Sequence, residues 1–483
     1  MCSPDREGLK AEFRRQNTGD RRQKPGARRQ ETEDNNHFND IMKSIFETYI
    51  RRSRKSKELY EKNLCLMPGG ISHNVRFQKP YPFFVDRAEG CRVWDVDGNE
   101  YIDMWMGHYA LILGHSHPLI MDALQEILKK GVHWGISNPL EVELAKLIVE
   151  LVPCAERIRF CCSGTEANMY AVRMARAFTG KPLVLKAVGG WHGPSTDLSY
   201  DIFPPFEGRE GAGLPPEMEK WVGSFPFNDI KRTERIIDSR SGDTAAVIVE
   251  PMMGSAGFLP ADREYLLMLR EKTKKIGAIL IFDEIITGFR IGIEGAQGHY
   301  GILPDLVTLG KIIGGGMPIG AVAGRSDILD TSSLTGVPSK SRRALVGGGT
   351  FSCHPMAMAA GIRTLEILKE EKEKIYTEIA RKGDKLREGL KKAFEERGIP
   401  VCITGLHSCH MIHFTKGPDL DIRSPEDVAE KTMQERLEEY QYRMRNEGVF
   451  MVHGAGALSI AHGDEDIEAF IDSAKKVAKA MKG

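Results

Sequence analysis

The 483-residue chain lacks any excess of charge: Lys and Arg total 67, and Asp and Glu total 67. With no net field to attract a polyanion, nucleic acid is not expected as a partner, and whatever binds must be recognised locally. Paired cysteines are missing too. The nine cysteines, at 2, 65, 91, 154, 161, 162, 353, 402 and 409, are odd in number and scattered, with no CxxC. That pattern argues against a disulfide framework or a zinc ribbon and points to a reducing, cytoplasmic setting. No apolar run approaches the roughly 18 residues of a membrane span, and the first residues hold no apolar leader, so neither a membrane nor a secretory segment is expected. Internal repeats are absent.

What is present is ordinary globular composition, 41% hydrophobic and 28% charged, with 50 glycines. Two or three packed units are expected at this length. Up to Asp34 the chain carries nine basic and seven acidic residues and, beyond Met1, only Leu9 and Phe13 as large apolar side chains. Residues 1–41 are therefore expected to be a disordered, solvated tail. Residues 42–119 are expected to hold an N-terminal helix and a β segment. Ile45, Tyr49 and Tyr60 fall at helical spacing, Pro68-Gly69-Gly70 stops the helix, and the alternation over Cys91–Tyr101 turns at Asp97-Gly98. Across 120–363, helical stretches separate short apolar runs: Ile158–Cys162, Leu183–Val188, Ala245–Val249, Ala278–Phe282, Leu306–Leu309 and Ile319–Ala323. Runs apolar on both faces predict a buried, mostly parallel central sheet in a large α/β domain. Residues 364–483 are expected to form a smaller C-terminal α/β domain, opened by an amphipathic helix over Thr364–Arg397 and closed by one presenting Ile467, Phe470, Ile471, Ala474 and Val477.

Ligands of such sheets bind beyond the carboxyl ends of the strands, so the residues after each run carry the chemistry. After the first run, Ser163-Gly164-Thr165-Glu166-Ala167-Asn168 opens a helix whose free N–H groups suit a phosphate. The second run is followed by Gly190-Trp191-His192-Gly193, a plate on which a planar ligand can stack. Asp283 ends the fourth, where a buried carboxylate needs a cation or a helix to cap. Lys311 follows the fifth, between an apolar strand and Gly314-Gly315-Gly316. There, desolvation would lower its pKa and make the amine a Schiff-base nucleophile. A nucleotide loop is not formed, because Ile312 follows Gly310-Lys311 where Ser or Thr is needed. Jointly, phosphate donors, an aromatic plate, a buried carboxylate and a lysine describe a pyridoxal phosphate site.

These segments, with Ile281–Arg290, Pro304–Gly316 and Gly349-Thr350-Phe351-Ser352, resemble those of the class III, fold type I aminotransferases. Within them the chain looks most like glutamate-1-semialdehyde 2,1-aminomutase and its aminotransferase relatives, from about Pro68 onward. The resemblance implies that Lys311 and Asp283 are catalytic, Lys311 bonding the cofactor and Asp283 pairing with its pyridine nitrogen. It also implies that Ser163, Gly164, Thr165, Trp191 and His192 belong to the cofactor site. Thr350 would reach the phosphate of a neighbouring subunit, in a homodimer with shared sites. Val75-Arg76 keeps the place of the aminomutase's carboxylate-binding arginine. Other places differ. Met252-Met253-Gly254-Ser255-Ala256-Gly257 stands where that family has Val-Gly-Asn before Ala-Gly, Gly107-His108-Tyr109 replaces its Ser-Trp-Gly, and its Phe-Glu-Ala-Gly segment is missing between His453-Gly454 and Ala455. These changes point to an aminotransferase acting on small amino and oxo compounds, with the aminomutase and a non-catalytic scaffold as alternatives. No metal is expected: on a strand, His407, Cys409 and His413 would span about 20 Å at ~3.3 Å per residue.

Overall fold

The six apolar runs fold as strands, and the computed structural model, which describes residues 25–336 and 339–481, adds a seventh. In chain order they are β1 (Arg157–Cys161), β2 (Leu183–Ala187), β3 (Val222–Phe225), β4 (Thr244–Val249), β5 (Ile279–Asp283), β6 (Leu306–Gly310) and β7 (Gly320–Gly324). They form one sheet in the order β1-β7-β6-β5-β4-β2-β3. All neighbours pair in parallel except β7, which runs antiparallel to both β6 and β1. The expected mostly parallel sheet is therefore present. Edge strand β3 was not expected, because Gly223 and Ser224 interrupt its apolar character.

Alternation along the strands feeds two cores. Leu306 and Val322 join Ile279, Ile281, Ala246 and Ile248 on one face, under the helix Gly164–Thr179. Val307, Leu309, Ala321 and Ala323 join the opposite core, under the helices Pro139–Leu151 and Pro355–Glu370. Both faces being apolar explains why these strands read as continuous runs. Truncating a core side chain such as Leu309 to Ala would cost about 2–5 kcal/mol. Gly320, the first residue of β7, lies so close to the end of β1 that an added Cβ would stand 2.1 Å from the Ser163 carbonyl oxygen.

Toward the C-terminus, Val401–Thr404, Cys409–Phe414 and Ala455–Ala457 pair as a three-stranded antiparallel sheet. The helices Lys372–Glu395 and Asp464–Ala480 pack on each other, and a Cβ at Gly389 would stand 2.4 Å from Ile471. His407 precedes the strand rather than sharing a face with Cys409 and His413, and His413 Nε2 lies 2.9 Å from Thr404 Oγ1.

A second compact unit comprises residues up to Arg87 with 93–101 and 442–448. Of the expected tail, residues 1–24 lie outside the described residues; from Pro25 the chain is helical to Arg52, ahead of the expected start at Met42. Phe38 and Ile41 account for the earlier onset of packing, since they join Met42, Ile45 and Tyr442 in one apolar cluster. The helix expected over Ser44–Asn63 is broken at Ser53, whose hydroxyl donates to the Tyr49 carbonyl at 2.7 Å. A new helix, Arg54–Leu64, starts there because Asp97 of the hairpin turn accepts the amides of Lys55 and Ser56.

Candidate active site

The carboxyl ends of β1, β2, β4, β5 and β6 bring the expected residues together. Asp283 ends β5 and is 4% exposed, so its charge must be met by donors. Its Oδ2 accepts from Asn168 Nδ2 and from His192 Nδ1, each at 2.7 Å, and its Oδ1 accepts from the Ile285 amide at 3.1 Å. Burial lowers the His192 pKa against the pull of Asp283, so the neutral ring donates through Nδ1. The His192 Nε2 is buried without a partner. Asn168 is itself oriented by Thr308 Oγ1, which donates to its Oδ1 at 2.7 Å. Three of the carboxylate's roughly four lone-pair sites are thus taken, which leaves one for a ligand N–H.

Lys311 opens a short 3-10 turn, Lys311–Gly314, with φ +49, a left-handed conformation that costs a non-glycine residue of order 1 kcal/mol or more. Its amine has no hydrogen-bond partner among the described residues. Desolvation lowers its pKa to about 8, opposed by the nearby charges of Asp283 and Glu250. Lys311 can therefore present an uncharged amine near neutral pH. Glu284, next along the chain, faces away and is consumed by Thr287, Ala296 and Gln297.

Ser163 caps the helix Gly164–Thr179, its Oγ accepting the Glu166 amide at 3.2 Å. Gly164 and Thr165 stand in the first turn, where amides have no intrahelical acceptor, and the helix dipole adds positive character. Thr165 touches the loop of the aromatic plate: a Cβ on Gly193 would stand 2.2 Å from its Oγ1. Trp191 is half-buried, its indole 6.3 Å from Phe203 and its amide held by Glu250 Oε1 at 2.8 Å.

Two expected residues are not joined to this cluster. Thr350 is exposed and lines a cavity of about 1120 Å³ with His133, Ile136, Glu141, Gly349 and Cys353. Arg76 is exposed in the one-turn helix Asn74–Arg76 of the other compact unit. It is not a partner of the hairpin acids, whose contacts are Asp97 with Ser56 and Asp95 with Asn99 and Tyr101.

Sequence reasoning assigned no role to Asn168, Thr308 or Glu250. Asn168 sits in the same motif as Ser163, and Glu250 directly follows β4, so the rule of searching beyond each strand could have found both.

The donor set suits pyridoxal phosphate: unpaired amides at a helix start for the phosphate, one open carboxylate site for the pyridine N–H, and an amine without a fixed partner for the aldehyde. The comparisons agree with this chemistry. Residues 74–461 match the family described as aminotransferase class-III. A glutamate-1-semialdehyde 2,1-aminomutase of Methanothermobacter thermautotrophicus is 38% identical over 435 residues, covering 89% of this chain and all of that protein. An ω-transaminase from Sphaerobacter thermophilus superposes with a TM-score of 0.81 at 33% identity, covering 88% of this chain and 97% of its own. A transaminase solved with pyridoxal phosphate bound gives 0.80 at 31% identity, covering 89% and 98%. The chain belongs to the class III aminotransferase family, whose cofactor is pyridoxal phosphate.

Proposed function

We propose that the protein is a two-substrate aminotransferase, moving an amino group between a carboxylate-bearing amino compound and an oxo acid or aldehyde. The observation that carries this reading over the aminomutase is the turn after β4. Met252 and Met253 are fully buried there, in a short ladder with Leu259 and Pro260. The resemblance to the aminomutases leads one to expect a polar asparagine in that stretch, whereas this turn is closed by apolar packing.

The roles follow from the geometry. Bound pyridoxal phosphate supplies an aldehyde for an amine and a ring that accepts an electron pair. Asp283, oriented by His192 and Asn168, keeps the ring nitrogen protonated. Lys311 would hold the cofactor's aldehyde and, with its amine free, would take and return a proton at its own nitrogen, which a pKa near 8 permits. The start of the helix Gly164–Thr179 grips the phosphate, and Trp191 shields the ring from water. Arg76 grips the substrate carboxylate through two parallel hydrogen bonds. Thr350 completes the phosphate site of a second copy in a homodimer. Its exposure supports that role, as does the apolar Phe351 beside it, 59% exposed. No disulfide joins the described cysteines, which fits a cytoplasmic protein, and no described helix is long and apolar enough to cross a membrane.

Full-length similarity at 38% identity favours a second reading, glutamate-1-semialdehyde 2,1-aminomutase. A screen of amino donors and acceptors on cofactor-loaded protein, with glutamate-1-semialdehyde alongside, separates the two. Transfer between two different molecules supports the proposal, and turnover of the semialdehyde alone overturns it.

A further inference from the structure

Four neighbouring strands, β6, β5, β4 and β2, present their carboxyl ends in a row. The chemistry-bearing residues there are Lys311, Asp283, Glu250 and, past a short turn, Trp191. Glu250 alone has no part in the reading above. It is 5% exposed, and each carboxylate oxygen accepts one backbone amide from a different segment. Oε1 takes the Trp191 amide at 2.8 Å, and Oε2 takes the Gly254 amide at 3.0 Å. Neither amide belongs to a strand ladder, so this one side chain satisfies both. Gly254 is itself wedged against the segment that follows Asp283, for a Cβ there would stand 2.2 Å from Ile286. An apolar side chain would fill the space without meeting either donor. A buried carboxylate is costly unless its charge is used.

We propose that Glu250 is a positioning residue for the cofactor ring: by holding the Trp191 and Gly254 amides on one carboxylate, it fixes the height and tilt of the aromatic plate beside Asp283. It also places a second carboxyl group near the Lys311 nitrogen, one whose pKa burial and Asp283 push up to about 8. The ionisable groups that face it are Asp283 on β5, Lys311 after β6 and Lys186 on β2. Burial and then Asp283 push its carboxyl up, while the two amides and Lys311 pull it down.

The inference rests on the ring lying at these strand ends, which borohydride labelling of Lys311 in the wild-type holoenzyme checks separately. Glu250→Gln and Glu250→Ala are then compared with wild type in three readouts: cofactor dissociation constant by dialysis, visible circular dichroism of bound cofactor, and the pH midpoint of its absorbance. The melting temperature of cofactor-free protein reports the fold. Cofactor affinity should fall about tenfold in the Gln variant and about a hundredfold in the Ala variant, as one and then both amides lose their acceptor. The visible dichroism should change in amplitude, because the plate tilts. The absorbance midpoint should move down, because the charge that Glu250 develops toward pH 8 no longer favours the protonated nitrogen. A Gln variant with wild-type affinity, dichroism and midpoint overturns the proposal, whatever its melting temperature. Should the Ala variant fail to fold, the Gln variant decides alone. Absence of label on Lys311 in the wild type overturns the ring's placement and this inference with it.

Discussion

Two lysines of the main sheet, Lys186 on β2 and Lys311 after β6, are lowered to about 8 by the same cause, loss of hydration. Their surroundings differ in kind. The Lys186 ammonium donates to the Tyr200 carbonyl at 2.6 Å and the Ala187 carbonyl at 3.2 Å, and its side chain is fully buried. The Lys311 amine faces Asp283 and Glu250 with no fixed partner among the described residues, from a backbone in the left-handed region. A depressed pKa therefore marks burial in both cases, and freedom from a partner is what sets Lys311 apart as the proposed nucleophile.

The comparison breaks most sharply on replacement. Lys311→Ala should abolish turnover and covalent attachment of the cofactor while leaving the fold intact, read by absorbance, activity and melting temperature. Lys186→Met should retain attachment. In that variant, the Tyr200 carbonyl loses its partner and stability should fall by about 1–3 kcal/mol in urea unfolding. If Lys186 rather than Lys311 carries the label after borohydride reduction, the comparison is inverted.

Next in size is the carboxylate that distinguishes the two settings. Asp283→Asn should still allow the lysine–cofactor bond but slow proton abstraction by orders of magnitude, since a neutral amide cannot hold the ring nitrogen protonated. A drop of less than about tenfold, roughly 1.4 kcal/mol, would reduce Asp283 to capping the Ile285 amide.

Arg76→Ala should lower kcat/KM about a hundredfold for a carboxylate-bearing donor and far less for a simple amine, measured on matched substrates. Equal losses on both would assign Arg76 to the fold.

The smallest effect is in pH. Below pH 8 most of the Lys311 amine carries its proton, and only the shrinking uncharged fraction is a nucleophile. Acylation of Lys311 in cofactor-free protein should therefore rise about tenfold per pH unit up to about 8 and then level off. A surface lysine should keep rising toward about 10.4. Lys186 should stay unlabelled throughout, and a climb of Lys311 beyond pH 9 would remove the desolvation argument.

Lys311, Asp283 and the Ser163 cap were legible in the sequence because each directly follows an apolar run, and strand ends are where this fold places chemistry. What holds them was not legible. Asn168 reaches Asp283 across 115 positions and Thr308 across 140, so the pairing exists only once the sheet is assembled. The position of Glu250 directly after β4 was readable, but not its role, since its partners are backbone amides, which leave no mark in residue type. The sheet was readable where β-branched and aliphatic residues run unbroken, as in β4, and not at β3, where Gly223 and Ser224 interrupt them. Likewise, the break at Ser53 depends on Asp97, 44 positions on by subtraction, and no helical periodicity could announce it.

The antiparallel strand β7 has a further consequence. It stands between the strand that ends at the phosphate-binding turn and the strand that ends at the lysine, so at this edge of the sheet it contributes its first residue, Gly320, rather than its last. The separation of those two strand ends is thus set by two inter-strand steps, about 9.6 Å at ~4.8 Å each, and by a residue with no side chain. Adding one methyl group at position 320 would crowd the Ser163 carbonyl and move the phosphate anchor without altering any group that touches the ligand. Within the main sheet, this reversed strand would serve as a spacer between the two strand ends proposed to hold the cofactor.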